Sequence, residues 1–180
     1  MQNTEQRISE AELKARVRDI PDYPKKGIMF RDITPLLKDP GAFAACIDEL
    51  ARRLDGKRFD YIAGIEARGF IIGSALAHRM GKGFVPIRKK GKLPYQKVSA
   101  QYSLEYGTET IEMHSDAIEK GSSTVIVDDL LATGGTAAAA ASLVRSVGGD
   151  VAAYAFVIEL AGLKGRQKLG NREVIALAKY

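Results

Sequence analysis

Residues Thr124 to Thr136 read TVIVDDLLATGGT, which joins a short apolar run, two adjacent carboxylates, a turn of small residues and the start of a helix. The run at 124–127 is β-branched and has no alternating polar positions, as is typical of a parallel strand covered on both faces. Open parallel sheets bind ligands beyond the carboxyl ends of their strands. We therefore expect a ligand beside residues 128–136.

The turn after this strand has the features of an anion-binding loop. Gly134 and Gly135 let the backbone approach a ligand closely because they carry no Cβ atom. The alanine-rich run from Ala137 to Ala141 predicts that a helix begins there. Unpaired N–H groups and the positive end of a helix dipole favour a phosphate at such a position. Thr133 and Thr136 add hydroxyl donors, so the sequence predicts a phosphate site.

Asp128 and Asp129 directly precede this loop. Because they would repel a phosphate, we expect them to contact a neutral or cationic group. A carboxylate can accept hydrogen bonds from both hydroxyls of a cis-diol, and hydrated Mg²⁺ fits equally well. The alternative is that one aspartate caps the turn or the helix while the other is solvated. The P-loop pattern GxxxxGK[ST] is absent, and no GxGxxG follows a strand.

Length and composition fit one globular domain over residues 1–180, with 46% apolar and 27% charged residues. No apolar run approaches the roughly 18–20 residues that span a bilayer. The N-terminal residues lack an apolar signal core, so we expect a cytoplasmic protein with no membrane partner. The net charge of +5 suggests anionic partners. Nucleic acid is not expected among them, because no nucleic-acid-binding signature occurs.

The only cysteine, Cys46, shares one helical stripe with apolar residues of the stretch 43–54. This pattern predicts a buried thiol and not a catalytic one. His78 and His114 are far apart and have no cysteine pair beside them, so we expect no zinc site.

The order of predicted elements indicates an α/β fold. Two strand–helix–strand units alternate along the chain, which predicts a central, mainly parallel sheet flanked by helices on both faces. The predicted strands lie at 59–65, 83–88, 123–127 and 151–158. The predicted helices lie at 9–18, 41–54, 68–80 and 136–147.

The segment 91–122 separates the two units and is too long for a plain connection. It is rich in Gly, Ser, Tyr and Lys, and it alternates with period two at 108–113. We interpret it as a flexible lid over the active site, which would shield a reactive ligand from water. The alternative is an ordered hairpin at the edge of the sheet.

The stretch from Val125 to Thr136 resembles the phosphoribosyl pyrophosphate (PRPP) binding motif of the type I phosphoribosyltransferases. Four further blocks narrow the resemblance to the adenine phosphoribosyltransferases: GIMFRDITP at 27–35, EARGF at 66–70, IRKKGKLP at 87–94 and YSLEYG at 102–107. The resemblance spans the chain from about residue 20. It implies the fold of this family, with a small N-terminal hood at about 1–40 that contributes to the base pocket.

The implied reaction is transfer of the 5-phosphoribosyl group from PRPP to N9 of adenine, with AMP and pyrophosphate as products and Mg²⁺ as cofactor. By similarity, the 5′-phosphate is bound by Ala132, Thr133, Gly134, Gly135 and Thr136. The ribose is held by Asp128 and Asp129. The implied pyrophosphate ligands are Arg68, Arg88, Lys89 and Lys92.

Mg²⁺ would be held through PRPP and water, with Asp128 or Asp129 as its only candidate protein ligands. One of the pyrophosphate-binding cations can come from a neighbouring subunit in this family, so a homodimer is expected. Without the resemblance, the basic run at 88–92 is typical of a solvated face.

The resemblance makes Glu105 the general acid/base at the purine, and it implies that Tyr106 contacts the ribose or packs the lid. An exposed glutamate with a pKa of about 4.3 is a poor acid at neutral pH, so lid closure would have to raise that pKa. The Glu66–Ala67 junction corresponds to a loop that often holds a non-proline cis peptide.

For the base pocket, the resemblance implies that Phe30 stacks on the purine and that Leu130 closes the other side. Met29 and Arg31 would place backbone groups at the hydrogen-bonding edge of the base. Two other functions stay open. One is transfer to another purine, such as xanthine, hypoxanthine or guanine. The other is a non-catalytic PRPP-sensing regulator that binds nucleic acid.

Overall fold

The structure is a computed structural model that describes residues 7–104 and 107–180. The helices are α1 (Glu10–Lys14), α2 (Thr34–Lys38), α3 (Pro40–Leu54), α4 (Arg68–Met80) and α5 (Gly135–Ser146). The strands are β1 (Arg18–Ile20), β2 (Phe30–Asp32), β3 (Tyr61–Ile65), β4 (Gly83–Lys89), β5 (Lys97–Leu104), β6 (Gly107–His114), β7 (Ser123–Leu131), β8 (Asp150–Glu159) and β9 (Glu173–Lys179). Two short 3₁₀ helices span Ala161–Leu163 and Gly165–Leu169.

The main sheet has seven strands in the order β5-β6-β4-β3-β7-β8-β9. The five strands from β4 to β9 in this order are parallel, and β5 and β6 are antiparallel additions at one edge. The predicted mainly parallel sheet is thus confirmed. Strand β7, which carries the motif, lies at the inside of the sheet between β3 and β8.

Helices cover both faces of the sheet, as predicted. Val125 and Val127 of β7 pack with α3 and α4 on one face, and Ile126 packs with α5 on the other. All three side chains are fully buried, and each contributes about 1.5–3 kcal/mol of hydrophobic stabilisation relative to an exposed side chain. Covering on two sides explains why this run shows no polar alternation. The buried position predicted for Cys46 is also confirmed, and burial raises the pKa of its thiol to about 12.

The predicted helix at 9–18 is wrong at its carboxyl end. The helix begins with a capping box in which Ser9 and Glu12 satisfy each other's backbone N–H groups, but it ends at Lys14. Residues from Arg18 onward instead form β1, which pairs with β2. This small antiparallel sheet belongs to the expected N-terminal hood. Residues 18–20 form a strand because they pair with β2, which lies further along the chain. A local helical pattern in the sequence does not reveal such pairing.

Strands β7 and β9 differ most from the prediction, and β3 begins at Tyr61 and not at residue 59. Strand β7 continues through the two aspartates to Leu131, because Asp128 and Leu131 pair with Phe156 and Glu159 of β8. Strand β9 was not predicted, although the apolar run at 174–178 is a local signal for it. It pairs with β8 in parallel and forms the second edge of the sheet.

The segment 91–122 contains the ordered edge hairpin that the sequence left open as the alternative. β5 and β6 pair along their whole length, and β6 joins β4 through the pair Arg88 and Glu112. Ile111 and Met113 of β6 are buried in the core on the α5 side. Movement of this hairpin as a lid stays a prediction. Within the part of the chain that the structure describes, no helix has both the length and the apolar character needed to cross a membrane.

Candidate active site

A cavity of about 200 Å³ lies at the carboxyl end of β7. Every residue from Asp128 to Ala137 lines it, together with Arg68 and Phe156. The structure therefore brings the predicted phosphate loop, the two aspartates, Leu130 and one predicted pyrophosphate ligand into a single site. The cavity therefore lies at the edge of the sheet where the direction of β7 predicted a ligand.

The phosphate loop, residues 132–136, leads directly into α5. Gly134 precedes the helix with a φ of 79°, in the left-handed region that favours glycine. The N–H groups of the first turn of a helix have no partner within the helix. At α5 no side chain caps them either. They belong to residues that line the cavity, and together with the helix dipole they favour a negatively charged group there.

The two aspartates have different environments. Asp129 is only 4% exposed, and one of its carboxylate oxygens accepts a hydrogen bond from Arg68 Nε. Asp128 Oδ1 accepts a hydrogen bond of 2.8 Å from the backbone N–H of Asp129. Desolvation and the neighbouring Asp129 carboxylate raise the pKa of Asp128 well above its usual range. Neither aspartate caps α5, so the helix-capping alternative is wrong.

Arg68 connects the aspartates to the N-terminal hood. It is the first residue of α4, and its guanidinium lies 5.3 Å from the ring centroid of Phe30. Its ion pair with Asp129 joins two residues that the sequence assigned to different parts of the ligand. Because Arg68 balances the charge of Asp129, Asp128 is the member of this pair of aspartates whose charged form is disfavoured.

A second group of charges surrounds Glu66, which follows β3. Lys92 Nζ lies 2.7 Å from Glu66 Oε1, and the backbone N–H of Lys89 donates to Oε2 at 3.0 Å. Arg88 Nε is 3.4 Å from Oε2, and this buried nitrogen makes no hydrogen bond to any described residue. Burial opposes the charge of Glu66, but its cationic and backbone donors prevail and lower its pKa.

Of the predicted basic residues, Arg88 and Lys92 thus meet at Glu66. The peptide bond between Glu66 and Ala67 is cis, as in the loop that the resemblance implied. Ala67 is followed by Arg68, so this loop joins the two charged groups. The side chain of Lys89 turns instead toward the hairpin, where its Nζ lies 3.4 Å from Glu109 Oε1.

Residues expected in the base pocket lie in several environments. Leu130 lines the cavity, and Phe30 lies between Arg68 and the ring of Tyr23, which it meets edge-on at 5.2 Å. Met29 is 43% exposed. The Arg31 side chain pairs with Asp19 and lies 4.1 Å from the ring centroid of Tyr180. Its side chain is therefore engaged away from the cavity, in keeping with a role for its backbone alone.

The hairpin lies against the start of α5. A Cβ atom built on Gly135 would be 3.5 Å from both Ser103 O and Tyr102 Cδ2. The hydroxyl of Tyr102 donates to Glu109 Oε2 at 2.7 Å, and desolvation raises the pKa of Tyr102 to about 12. The predicted catalytic residue Glu105 and the predicted lid residue Tyr106 lie outside the described residues.

Sequence reasoning identified the Glu66–Ala67 loop but assigned no role to the Glu66 carboxylate, and it assigned none to Tyr102, which lies beside the site. Glu66 had an available signal, because it follows the carboxyl end of a predicted strand, where the ligand edge of a parallel sheet is expected. Tyr102 had none, since its position against α5 depends on how the hairpin pairs with the sheet.

Comparison with known proteins agrees with this geometry. The family model described as "Phosphoribosyl transferase domain" matches residues 35–173. An adenine phosphoribosyltransferase of Chlorobium limicola is 60% identical over 162 residues, which cover 89% of this chain and 92% of that protein. The chain belongs to the adenine phosphoribosyltransferase family.

Solved structures of the family have the same fold. The crystal structure of adenine phosphoribosyltransferase from Thermoanaerobacter pseudethanolicus superposes with a TM-score of 0.94 at 54% identity, covering 96% of this chain and 100% of that one. The enzyme from Saccharomyces cerevisiae, complexed with an imino-altritol bisphosphate and adenine, gives a TM-score of 0.88 at 44% identity, with coverages of 93% and 97%. The fold expected of an adenine phosphoribosyltransferase family member is therefore confirmed.

Replacing Asp128 with asparagine tests its electrostatic environment. We expect Asp128→Asn to raise the free energy of unfolding of the ligand-free protein at neutral pH. Asparagine removes the repulsion with Asp129 and keeps an oxygen to accept the N–H of that residue. Each 1 kcal/mol gained would raise the Tm by roughly 2–4 °C, which scanning calorimetry can measure.

The pH dependence of this effect has a definite sign. Because the pKa of Asp128 is raised in the folded protein, the wild type loses stability as pH rises through that pKa. The gain in the variant therefore grows as pH rises above about 3.9, the pKa of an unfolded aspartate, and is complete once pH exceeds the raised pKa. It should vanish below about pH 3.9, where aspartate is protonated in both states. A variant that is less stable than the wild type at neutral pH would contradict this description of the site.

Proposed function

We propose that this protein transfers the 5-phosphoribosyl group from PRPP to N9 of adenine, giving AMP and pyrophosphate in purine salvage. The observation that carries the proposal is the cavity in which a phosphate-binding helix start is continuous with two carboxylates, all within residues 128–137. A ribose phosphate has a phosphate next to sugar hydroxyls. It therefore needs an anion site beside carboxylates that accept hydrogen bonds from those hydroxyls. The relatives named as adenine phosphoribosyltransferases support adenine as the base.

The 5′-phosphate binds to the phosphate loop through the N–H groups at the start of α5 and the hydroxyls of Thr133 and Thr136. The helix dipole contributes about 0.3–1 kcal/mol, and each hydrogen bond to the charged phosphate contributes about 1.5–3 kcal/mol. The loop is already in place at the end of a buried strand. Binding therefore requires little ordering of the backbone.

Asp128 and Asp129 accept hydrogen bonds from the ribose hydroxyls. In the ligand-free protein the charge on Asp128 is unfavourable, since burial and Asp129 both oppose it. Hydrogen bonds from the ribose hydroxyls stabilise the charged form of Asp128. The positive charge that develops on the ribose ring in the transition state stabilises it further. The carboxylates thus stabilise the transition state more strongly than the bound substrate, which accelerates the reaction.

The pyrophosphate binds among Arg68, Arg88, Lys89 and Lys92. Two of these cations are balanced by carboxylates, Arg68 by Asp129 and the ammonium of Lys92 by Glu66. Pyrophosphate oxygens would take the place of some of these partners. The buried Arg88 Nε, which has no hydrogen-bond partner among the described residues, is a donor that a phosphate oxygen would satisfy.

Magnesium fits the donor set of this site in a limited way. The described residues contain no group of three or more His, Cys, Asp or Glu side chains that could hold a metal. Asp128 or Asp129 would supply an oxygen ligand, and Mg²⁺ commonly takes one or two carboxylates together with water and substrate phosphates. When bound, the ion would neutralise charge on the pyrophosphate.

The base lies between Phe30 and Leu130, with the backbone of Met29 and Arg31 at its edge. Glu105 acts as general acid/base at the purine, and Tyr106 contacts the ribose or packs the lid. The hairpin supports this assignment, because Tyr102 and Ser103 lie against Gly135 and precede Glu105 closely in the chain. Closure of the segment 91–122 over the ligand would exclude water and raise the pKa of Glu105.

The protein acts as a homodimer in which a neighbouring subunit supplies one of the pyrophosphate-binding cations. We assign it to the cytoplasm. Its single cysteine is buried and unpaired, which is compatible with a reducing compartment.

A panel of bases tests the proposed substrate. With PRPP and Mg²⁺, we expect adenine to give the highest kcat/KM for pyrophosphate release. Hypoxanthine, guanine and xanthine should be slower by roughly 10²-fold or more, because they would leave hydrogen-bonding groups of the pocket unpaired. Faster turnover of another purine would assign the enzyme to that base. Salt-dependent duplex binding without turnover of any base would indicate a regulator.

Substitution of Glu105 tests the proposed proton transfer. We expect Glu105→Gln to lower kcat by roughly 10²–10⁴-fold, the usual contribution of a general acid/base, while the KM for PRPP changes little. Glu173→Gln is a matched control, since Glu173 is exposed, lies outside the segment 91–122 and begins β9 at the edge opposite the ligand. Wild-type turnover in Glu105→Gln would remove Glu105 from the mechanism.

A further inference from the structure

The 3₁₀ helix Gly165–Leu169 lies directly against the phosphate loop. A Cβ atom built on Gly165 would be 2.2 Å from Ala132 O and 3.0 Å from Gly134 N. A Cβ atom built on Gly134 would be 2.3 Å from Gly165 O. The two backbones therefore approach each other more closely than any side chain at these positions allows.

Gly165 contacts the loop without forming part of the cavity wall. It is buried. Its φ is not in the left-handed region that favours glycine, so close approach is the reason for glycine at this position. The sequence alone gave no signal for this contact, because Gly165 and the loop are about thirty residues apart.

The neighbouring residue fixes the 3₁₀ helix to the sheet. Arg166 donates two parallel hydrogen bonds of 2.6 Å to the carboxylate of Glu159 and a third, of 2.7 Å, to Val174 O. Glu159 is 5% exposed and ends β8. It pairs in the sheet with Leu131, the last residue of β7 before the phosphate loop. The loop and the segment behind it are thus attached to adjacent strand ends.

We propose that Gly165 and the Arg166–Glu159 ion pair are positioning residues that hold the phosphate loop in its ligand-binding conformation. They contact no ligand themselves. Gly165 limits how far the loop can retreat from the cavity, and Arg166 keeps Gly165 in place through its fork of hydrogen bonds to Glu159. The inference rests on the proposed function, because it takes residues 132–136 as the 5′-phosphate site.

Gly165→Ala tests this role, with Gly162→Ala as the matched control. Both substitutions add one methyl group to a short 3₁₀ helix of the same connection, but nothing lies within 4 Å of a Cβ atom at Gly162. We expect Gly165→Ala to raise the KM for PRPP roughly 10- to 100-fold, the effect of misplacing binding groups by about 1 Å. The KM for adenine should stay within about twofold. Gly162→Ala should match the wild type in both.

Calorimetric titration with ribose 5-phosphate isolates the effect on the phosphate site. This probe carries the 5′-phosphate without the pyrophosphate or the base. We expect Gly165→Ala to weaken its binding by roughly the same factor as the KM for PRPP, at a temperature where circular dichroism shows the variant to be folded.

Arg166→Lys provides a second variant that adds no atoms at the loop. Lysine keeps the charge but loses the two-pronged hydrogen bond to Glu159. We expect the same selective effect on PRPP and ribose 5-phosphate, of roughly 3- to 10-fold. This variant decides the question if Gly165→Ala does not fold.

Two results would overturn the inference. One is unchanged ribose 5-phosphate binding in folded Gly165→Ala or, failing that variant, in Arg166→Lys. The other is a parallel loss of PRPP binding, adenine binding and thermal stability, which would indicate a general structural role. Absence of binding of both PRPP and ribose 5-phosphate to the wild type would overturn the proposed function itself and the inference with it.

Discussion

The position of β7 between two parallel neighbours is the constraint on which the site depends. Both faces of its apolar run are buried, and its backbone pairs with β3 and β8. The strand therefore ends at a fixed point, where two aspartates and the start of α5 follow at once. Packing of this strand offsets the unfavourable placement of Asp128, whose charge is opposed by burial and by Asp129. An isolated loop of the same sequence would move these carboxylates apart.

Charges in the site are arranged as ion pairs whose partners a ligand can replace. Arg68 lies on Asp129, and Glu66 holds Lys92 close to Arg88. A ligand that carries both a pyrophosphate and hydroxyls can replace both kinds of partner. Its pyrophosphate would bind the cations, and its hydroxyls would bind the aspartates. Specificity then arises because a ligand with only one of these groups leaves the other charges without new partners.

Local patterns in the sequence were sufficient to predict the central strand and helices. They were insufficient to predict the strand pairs and backbone contacts that hold the site in place. The helix predicted at 68–80 has the bounds of α4, and β7 was recognised from its apolar run. The extension of β7 through Asp128 depends on pairing with β8, and β1 depends on pairing with β2. Such contacts join residues that are distant in the chain. The support from Gly165 has the same origin, since its role depends on a backbone approach that no periodicity encodes.

A crystal structure of the protein with PRPP and Mg²⁺ would test the central claim most directly. We predict that the 5′-phosphate oxygens lie about 2.7–3.2 Å from backbone nitrogens of the phosphate loop, with the ribose hydroxyls on Asp128 and Asp129. Binding of the 5′-phosphate at the basic residues around Glu66, with the phosphate loop free of ligand, would contradict the account.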